Sequence, residues 1–284
     1  MTISQLCTEA RRELERKFAP GEAQALVRET MERLKGYSAV DLVVNGDKEA
    51  SDFIEAKVRE VTKRLLNNEP IQYIFGRANF YGLDFTVTPD VLIPRPETAE
   101  LVDFIVKRYS GQTDLRVLDI CTGSGCIACA LGRNLPFSEV TAIDISPLAL
   151  DVARRNAADL KVKVKFEQAD IFALAPPDRE CFDIIVSNPP YIADSERQLM
   201  DANVIDHEPH LALFVPDDNP IAFYRVISGY ALKALCPGGT IWFEINPLYA
   251  ASLVEMMESA GWEDVTLDRD TSGHLRFLTA TLPL

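Results

Sequence analysis

Apolar residues recur every three or four positions near the start of the chain, and that spacing gives way to others further on. Ile54, Val58, Val61 and Leu65 fall on one side of a 3.6-residue turn while Glu55, Lys57, Arg59 and Glu60 fall on the other, which predicts an amphipathic helix. The pattern runs from Ile3 to about Asn68. It is broken at Ala19-Pro20-Gly21 and at Asn45-Gly46-Asp47, where proline, glycine and short polar residues favour turns. Residues 1–70 are therefore expected to form a small bundle of short helices.

Between Glu69 and Pro89 aromatic and β-branched residues take over, in Ile71-Gln72-Tyr73-Ile74-Phe75-Gly76 and Phe80-Tyr81-Gly82-Leu83-Asp84-Phe85-Thr86-Val87. With glycines at the turns, residues 71–90 are expected to form a β-hairpin linker. Two prolines then stiffen Leu92-Ile93-Pro94-Arg95-Pro96-Glu97-Thr98 ahead of a helix predicted at about residues 99–109.

Beyond Gly111 strand and helix signals alternate. Residues 116–120, 139–143, 163–166 and 182–186 are strand-like, and helical stretches near 126–134 and 147–160 separate the first three. Residues 240–245 follow the turn Pro237-Gly238-Gly239, and residues 277–281 close the series. This alternation predicts an α/β fold over residues 91–284, a doubly wound, mostly parallel sheet with helices on its faces.

Composition narrows the partners. The 284 residues are 47% hydrophobic and 25% charged, ordinary for globular domains. Lys and Arg number 29 against 43 Asp and Glu, a formal charge of -14 that repels phosphate backbones, so no direct nucleic-acid contact is expected. The short basic run Lys161-Val162-Lys163-Val164-Lys165 is expected to solvate a strand face. No stretch resembles a signal peptide or a membrane span. Six cysteines without framework spacing fit reduced thiols and a cytoplasmic location. Cys126-Ile127-Ala128-Cys129 is formally C-x-x-C. It lacks a second ligand pair, and His207, His210 and His274 lack metal spacing, so buried helix cysteines and no metal site are expected.

Chemistry concentrates at two places. Asp119-Ile120-Cys121-Thr122-Gly123-Ser124-Gly125 joins a strand to a helix, where glycines let the backbone bend and approach a ligand. Asp144 ends the next strand about 20 residues later, placed to accept hydrogen bonds from both ribose hydroxyls. The pair points to an adenosine ligand and leaves the reaction open, since NAD would use it too. At the end of the fourth strand stands Asn188-Pro189-Pro190-Tyr191. Asn188 offers a carbonyl oxygen, the two prolines lock the direction of the Pro189 carbonyl, and Tyr191 adds a flat wall with a polar tip. Two rigid acceptors suit both hydrogens of a planar –NH2, whose nitrogen could then meet an electrophilic methyl on an adenosyl sulfonium. The same residue types also make a plain strand-ending turn.

Gly123-Ser124-Gly125, Asp144 and Asn188-Pro189-Pro190-Tyr191 together resemble a class I S-adenosylmethionine-dependent amino methyltransferase with a Rossmann-like domain. The segments at 72–76, 80–83 and 92–98, and the amino-terminal bundle, extend the resemblance to the release factor glutamine methyltransferase family (PrmC/HemK) over nearly the whole chain. The resemblance implies methyl transfer from S-adenosyl-L-methionine, leaving S-adenosyl-L-homocysteine, to the side-chain amide of the glutamine in the Gly-Gly-Gln loop of peptide chain release factors. It assigns the cofactor to Cys121, Thr122, Gly123, Ser124, Gly125, Asp144, Asp170, Ile171 and Asn188. It assigns the glutamine to Asn188, Pro189, Pro190 and Tyr191, and release-factor docking to the bundle and hairpin. Cys121 stands where the family usually has glycine, which ordinary backbone angles would accommodate. The rivals are an adenine-N6 methyltransferase acting on DNA or RNA, a nicotinamide-dependent oxidoreductase that leaves the Asn-Pro-Pro-Tyr corner without work, and a binding module that has lost catalysis.

Overall fold

The computed structural model describes residues 1–177 and 182–284; Cys181 lies outside them. The described chain divides into two compact units, Met1–Gly76 with Asp201–His207, and Arg77–Met200 with Glu208–Leu284.

The first unit is helical. Helices α1 (Ile3–Leu14), α2 (Pro20–Lys35), α3 (Ala39–Val44) and α4 (Asp52–Leu66) follow the apolar periodicity, with Ile54, Val58, Val61 and Leu65 all buried. Their ends carry the expected chemistry. Thr2 caps α1 reciprocally with Gln5, Ser51 caps α4, and α2 runs from Pro20 to a left-handed Gly36. One expectation fails: residues 71–75 belong to no hairpin. They form a one-turn helix, α5 (Ile71–Phe75), set between Pro70 and the left-handed Gly76, with Ile71 buried in the core of the helical unit. Tertiary burial overrides the β preference of Ile, Tyr and Phe here.

The second unit begins with the hairpin, which is shorter than expected. Strands β1 (Arg77–Phe80) and β2 (Leu83–Thr86) pair through the two-residue turn Tyr81-Gly82, both at positive φ, as a type I′ turn requires. The doubly wound part follows in order: α6 (Pro96–Arg108), β3 (Arg116–Ile120), α7 (Cys126–Asn134), β4 (Glu139–Asp144), α8 (Pro147–Leu160), β5 (Val164–Gln168) and β6 (Phe182–Ser187). After the short β7 (Ile192–Ala193), helix α9 (Ala202–His207) belongs to the helical unit, where His207 Nε2 lies 3.2 Å from the Asn67 carbonyl. Then come β8 (Phe214–Val215), α10 (Ala222–Ala234), β9 (Leu235–Glu244), α11 (Ala250–Ser259), β10 (Glu263–Arg269) and β11 (Leu275–Thr281).

Among the described residues, seven strands form one sheet in the order β10-β11-β9-β6-β3-β4-β5, with β11 antiparallel to β9 and to β10 and the other pairs parallel. Because both faces are covered, β6 shows no polar alternation: Ile184 and Val186 pack with α6 and α7, while Ile185 packs with α10 and α11. Cys126 and Cys129 lie buried on α7, and burial pushes both thiols up to about 12, which leaves them inert packing groups. No helix among the described residues is long and apolar enough to cross a membrane.

Candidate active site

The parallel strands β3, β4 and β6 end at one cavity of about 480 Å³. Doubly wound sheets bind ligands at that edge because loops there leave a crevice between helices on opposite faces. Cys121, Thr122, Gly123 and Ser124 line it from the glycine loop, Asp144 from the end of β4, and Asp170 and Ile171 from beyond β5. Asn188 and Pro190 line it from the end of β6. Gly125, Pro189 and Tyr191 do not line it.

The loop is shaped mainly by its own backbone. Asp144 Oδ2 accepts from Gly123 N at 2.9 Å and Oδ1 from Ser146 N at 2.9 Å, so the carboxylate is fixed while each oxygen keeps a lone pair. Burial pushes the Asp144 carboxyl above its ordinary range, and those N–H groups oppose the rise. A side chain at Gly123 would meet open space, consistent with a surface left clear for a ligand. Gly125 is different: at φ +76° it caps α7, and an added Cβ would stand 3.0 Å from the Ala153 Cβ on α8. Its role is close packing of loop on helix. The condition under which cysteine would replace glycine without cost, ordinary backbone angles, is not met at Cys121: its φ is +62°, the left-handed region that costs an L residue about 1 kcal/mol. Burial raises its thiol, so it stays protonated.

Behind the loop Asp119 is fully buried. Its Oδ2 accepts from Thr122 Oγ1 at 2.6 Å and from Ala128 N at 3.2 Å, while Oδ1 has no partner. Burial pushes this carboxyl up to about 7. Asn156 on α8, absent from the sequence expectations, ties the loop to the hairpin: Nδ2 donates to the Ser124 and Thr86 carbonyls and Oδ1 accepts from Thr86 N at 2.7 Å. Periodicity marks Asn156 only as one helix position among others.

The other wall is built by side chains from distant elements. Asn188 Nδ2 donates to Thr98 Oγ1 at 3.2 Å, and Thr98 Oγ1 donates to Glu244 Oε2 at 2.6 Å. The Tyr191 hydroxyl donates to Glu244 Oε1 at 3.0 Å, so its polar tip points at a buried carboxylate instead of the cavity. Burial pushes the Glu244 carboxyl up, opposed by the Thr98 and Tyr191 hydrogen bonds and by the Arg276 charge. Along the rim, buried Glu208 accepts from Ile93 N at 3.1 Å and pairs with Arg95 at 2.6 Å, fastening the proline-rich loop. Glu208 carried no local sequence signal.

The cavity fits an adenosyl sulfonium on its own features. Gly123 and Ser124 line it from the loop, and at Gly123 the surface is open enough that an added Cβ would meet no atom within 4 Å. Ile143, Ile171, Phe172 and Phe223 offer apolar area for a flat base, the two rings meeting edge to face at 4.8 Å. Asp144 and Asp170 supply negative charge for a cationic ligand.

A family model described as the methyltransferase small domain matches residues 98–211, and one described as the PrmC N-terminal domain matches residues 5–76. A release factor glutamine methyltransferase of Bacteroides thetaiotaomicron is 45% identical over 270 residues, 95% of this chain and 96% of that protein. Its counterpart in Flavobacterium psychrophilum is 42% identical over 242 residues, 84% and 85% of the two chains. A methyltransferase structure from Pyrococcus furiosus shares the fold at a TM-score of 0.53 and 18% identity, over 79% of this chain and 99% of that one. With its two family domains matched and full-length relatives at this identity, the chain belongs to the release factor glutamine methyltransferase family.

Proposed function

We propose that the chain transfers a methyl group from S-adenosyl-L-methionine to the side-chain amide nitrogen of the glutamine in the Gly-Gly-Gln motif of peptide chain release factors. The observation that carries this is the sharing of one cavity by Asp144, the glycine loop and Asn188. When bound, S-adenosyl-L-methionine supplies an electrophilic methyl on sulfur and departs as S-adenosyl-L-homocysteine. Asp144 would hold the ribose hydroxyls, Asp170 and Ile171 the adenine, and Thr122 to Ser124 the amino-acid end.

Asn188 Oδ1 and the Pro189 carbonyl would accept the two amide hydrogens of the substrate glutamine. That grip turns the nitrogen lone pair toward the methyl group and stabilises positive charge as the N–C bond forms. The methylated nitrogen is acidic and sheds its proton without a dedicated strong base. Tyr191, bonded to Glu244, would stiffen the corner instead of touching the glutamine. A protein substrate agrees with the acidic chain, and we place the reaction in the cytoplasm, where release factors work.

The test is competitive. Protein incubated with methyl-labelled cofactor, release factor and duplex DNA is expected to label the release factor on its Gly-Gly-Gln glutamine. Label on adenine would overturn this reading in favour of the nucleic-acid alternative.

A further inference from the structure

We propose that Glu244 is a positioning residue that, acting through Thr98, decides which end of the Asn188 carboxamide faces the cavity. The inference rests on the proposed role of Asn188 as an acceptor for the substrate amide. The two ends of a carboxamide have nearly the same shape, so packing alone does not choose between them. Hydrogen-bond polarity does.

Thr98 Oγ1 has one proton. Glu244 Oε2, 2.6 Å away, takes that proton as a hydrogen bond, and only lone pairs are left for Asn188. The carboxamide atom 3.2 Å from Thr98 must then be the NH2 nitrogen, which turns Oδ1 to the opposite side. No hydrogen bond from the described residues reaches that oxygen, which leaves it to accept from a ligand. If the acceptor at 244 is lost, the Thr98 proton is free to turn toward Asn188. A flipped Asn188 would then oppose its own N–H groups to those of the substrate.

The same carboxylate holds the far end of the corner. Glu244 Oε1 accepts from Tyr191, so residues 188 and 191 are both referred to one group. Glu244 is itself fixed: it lies on β9, which pairs with β6 up to Ser187 and Phe243, and its main-chain carbonyl accepts from the Tyr224 hydroxyl at 3.0 Å. It is 2% exposed, so water does not compete for its lone pairs.

Thr98→Val keeps the shape and removes the relaying hydroxyl; Thr98→Ser keeps the hydroxyl. With release factor as substrate, Thr98→Val is expected to lower kcat about tenfold, the worth of one oriented hydrogen bond, with KM and cofactor Kd nearly unchanged. Thr98→Ser is expected to recover most of that loss. Glu244→Met, which leaves Thr98 no oxygen acceptor at that position, should match Thr98→Val, and the double variant should be no worse than either alone. In an Asn188→Ala background Thr98→Val should add nothing. Normal kcat in Thr98→Val, or a further loss in the Asn188→Ala background, overturns the proposal.

A second readout does not need turnover. The Asn188 side-chain amide resonance, identified by its disappearance in Asn188→Ala, is expected to shift in Thr98→Val, and an unmoved resonance overturns the relay even if Glu244→Met fails to fold. Wild-type protein that labels no release factor while this resonance still shifts would remove the proposed function and support the relay.

Discussion

The glycine loop and the Asn-Pro-Pro-Tyr corner share one cavity and are held in different ways. Main-chain conformation and close neighbours shape the loop: Gly123 N reaches Asp144 over 21 positions, and Asp119 reaches Thr122 over three. The corner depends on side chains from far along the chain, Thr98 at a separation of 90 and Glu244 at 53. A loop of the first kind fails when its backbone angles are denied or when a carboxylate that collects its N–H groups is lost. A corner of the second kind keeps its backbone and loses its chemistry when one proton is misdirected.

The largest expected effect tests what lies beneath the loop. Asp119 holds its proton longer in the folded protein than in the unfolded chain, because burial has raised its carboxyl to about 7. The folded state therefore binds more protons between about pH 4 and 7, and stability from this group falls as pH rises through that window and then levels off. Asp119→Asn should remove this slope. Denaturant titrations of the two proteins without cofactor should show their stability difference changing by at most about 4 kcal/mol between those limits. A parallel pair of curves would show that Asp119 ionises as freely as in the unfolded chain.

Next comes the corner. Asn188→Ala is expected to lower turnover about 100- to 1000-fold, as for loss of one oriented transition-state hydrogen-bonding group. Calorimetric cofactor binding should be retained. Normal methyl transfer would remove Asn188 from the chemistry and reduce the corner to a turn.

Within the loop the two glycines should separate. Gly125→Ala meets Ala153 at 3.0 Å and keeps a left-handed φ, for a cost of about 2 kcal/mol in thermal or denaturant unfolding. Gly123→Ala meets no atom within 4 Å and should cost about 1 kcal/mol from its φ alone, with its main effect on cofactor Kd. Equal destabilisation would refute the assignment of Gly125 to packing and Gly123 to the cavity.

The smallest effect is expected at Cys121→Gly. Relief of the left-handed strain is nearly offset by the greater freedom of glycine in the unfolded chain, so stability should move by less than about 1 kcal/mol. A loss well beyond that would mean that the thiol contributes packing or hydrogen bonding that outweighs its strain.

The same contrast explains what could be read before the fold was known. The glycine loop, Asp144 and the alternation of strands and helices are local patterns, and Asn188 announces itself between a strand and two prolines. Thr98, Asn156, Glu208 and Glu244 act through pairings made only by the tertiary fold, and no spacing rule links position 98 to 244. Ile71 to Phe75 misled because their side chains suit a strand, whereas the proline before them and the left-handed Gly76 after them, with burial of Ile71, made a helical turn. The angle at Cys121 stayed open, since nothing in a cysteine itself announces a positive φ.

Helix α9 has a consequence for how such a protein can be rearranged by recombination. Residues 201–207 pack with the first 76 although they are encoded in the midst of the second unit, and Asn68 and Asp206 are joined at 3.3 Å. The helical part is therefore no interchangeable cassette. A gene fusion that exchanged only its leading portion would strand a seven-residue counterpart downstream, so inheritance of the two pieces has to stay linked.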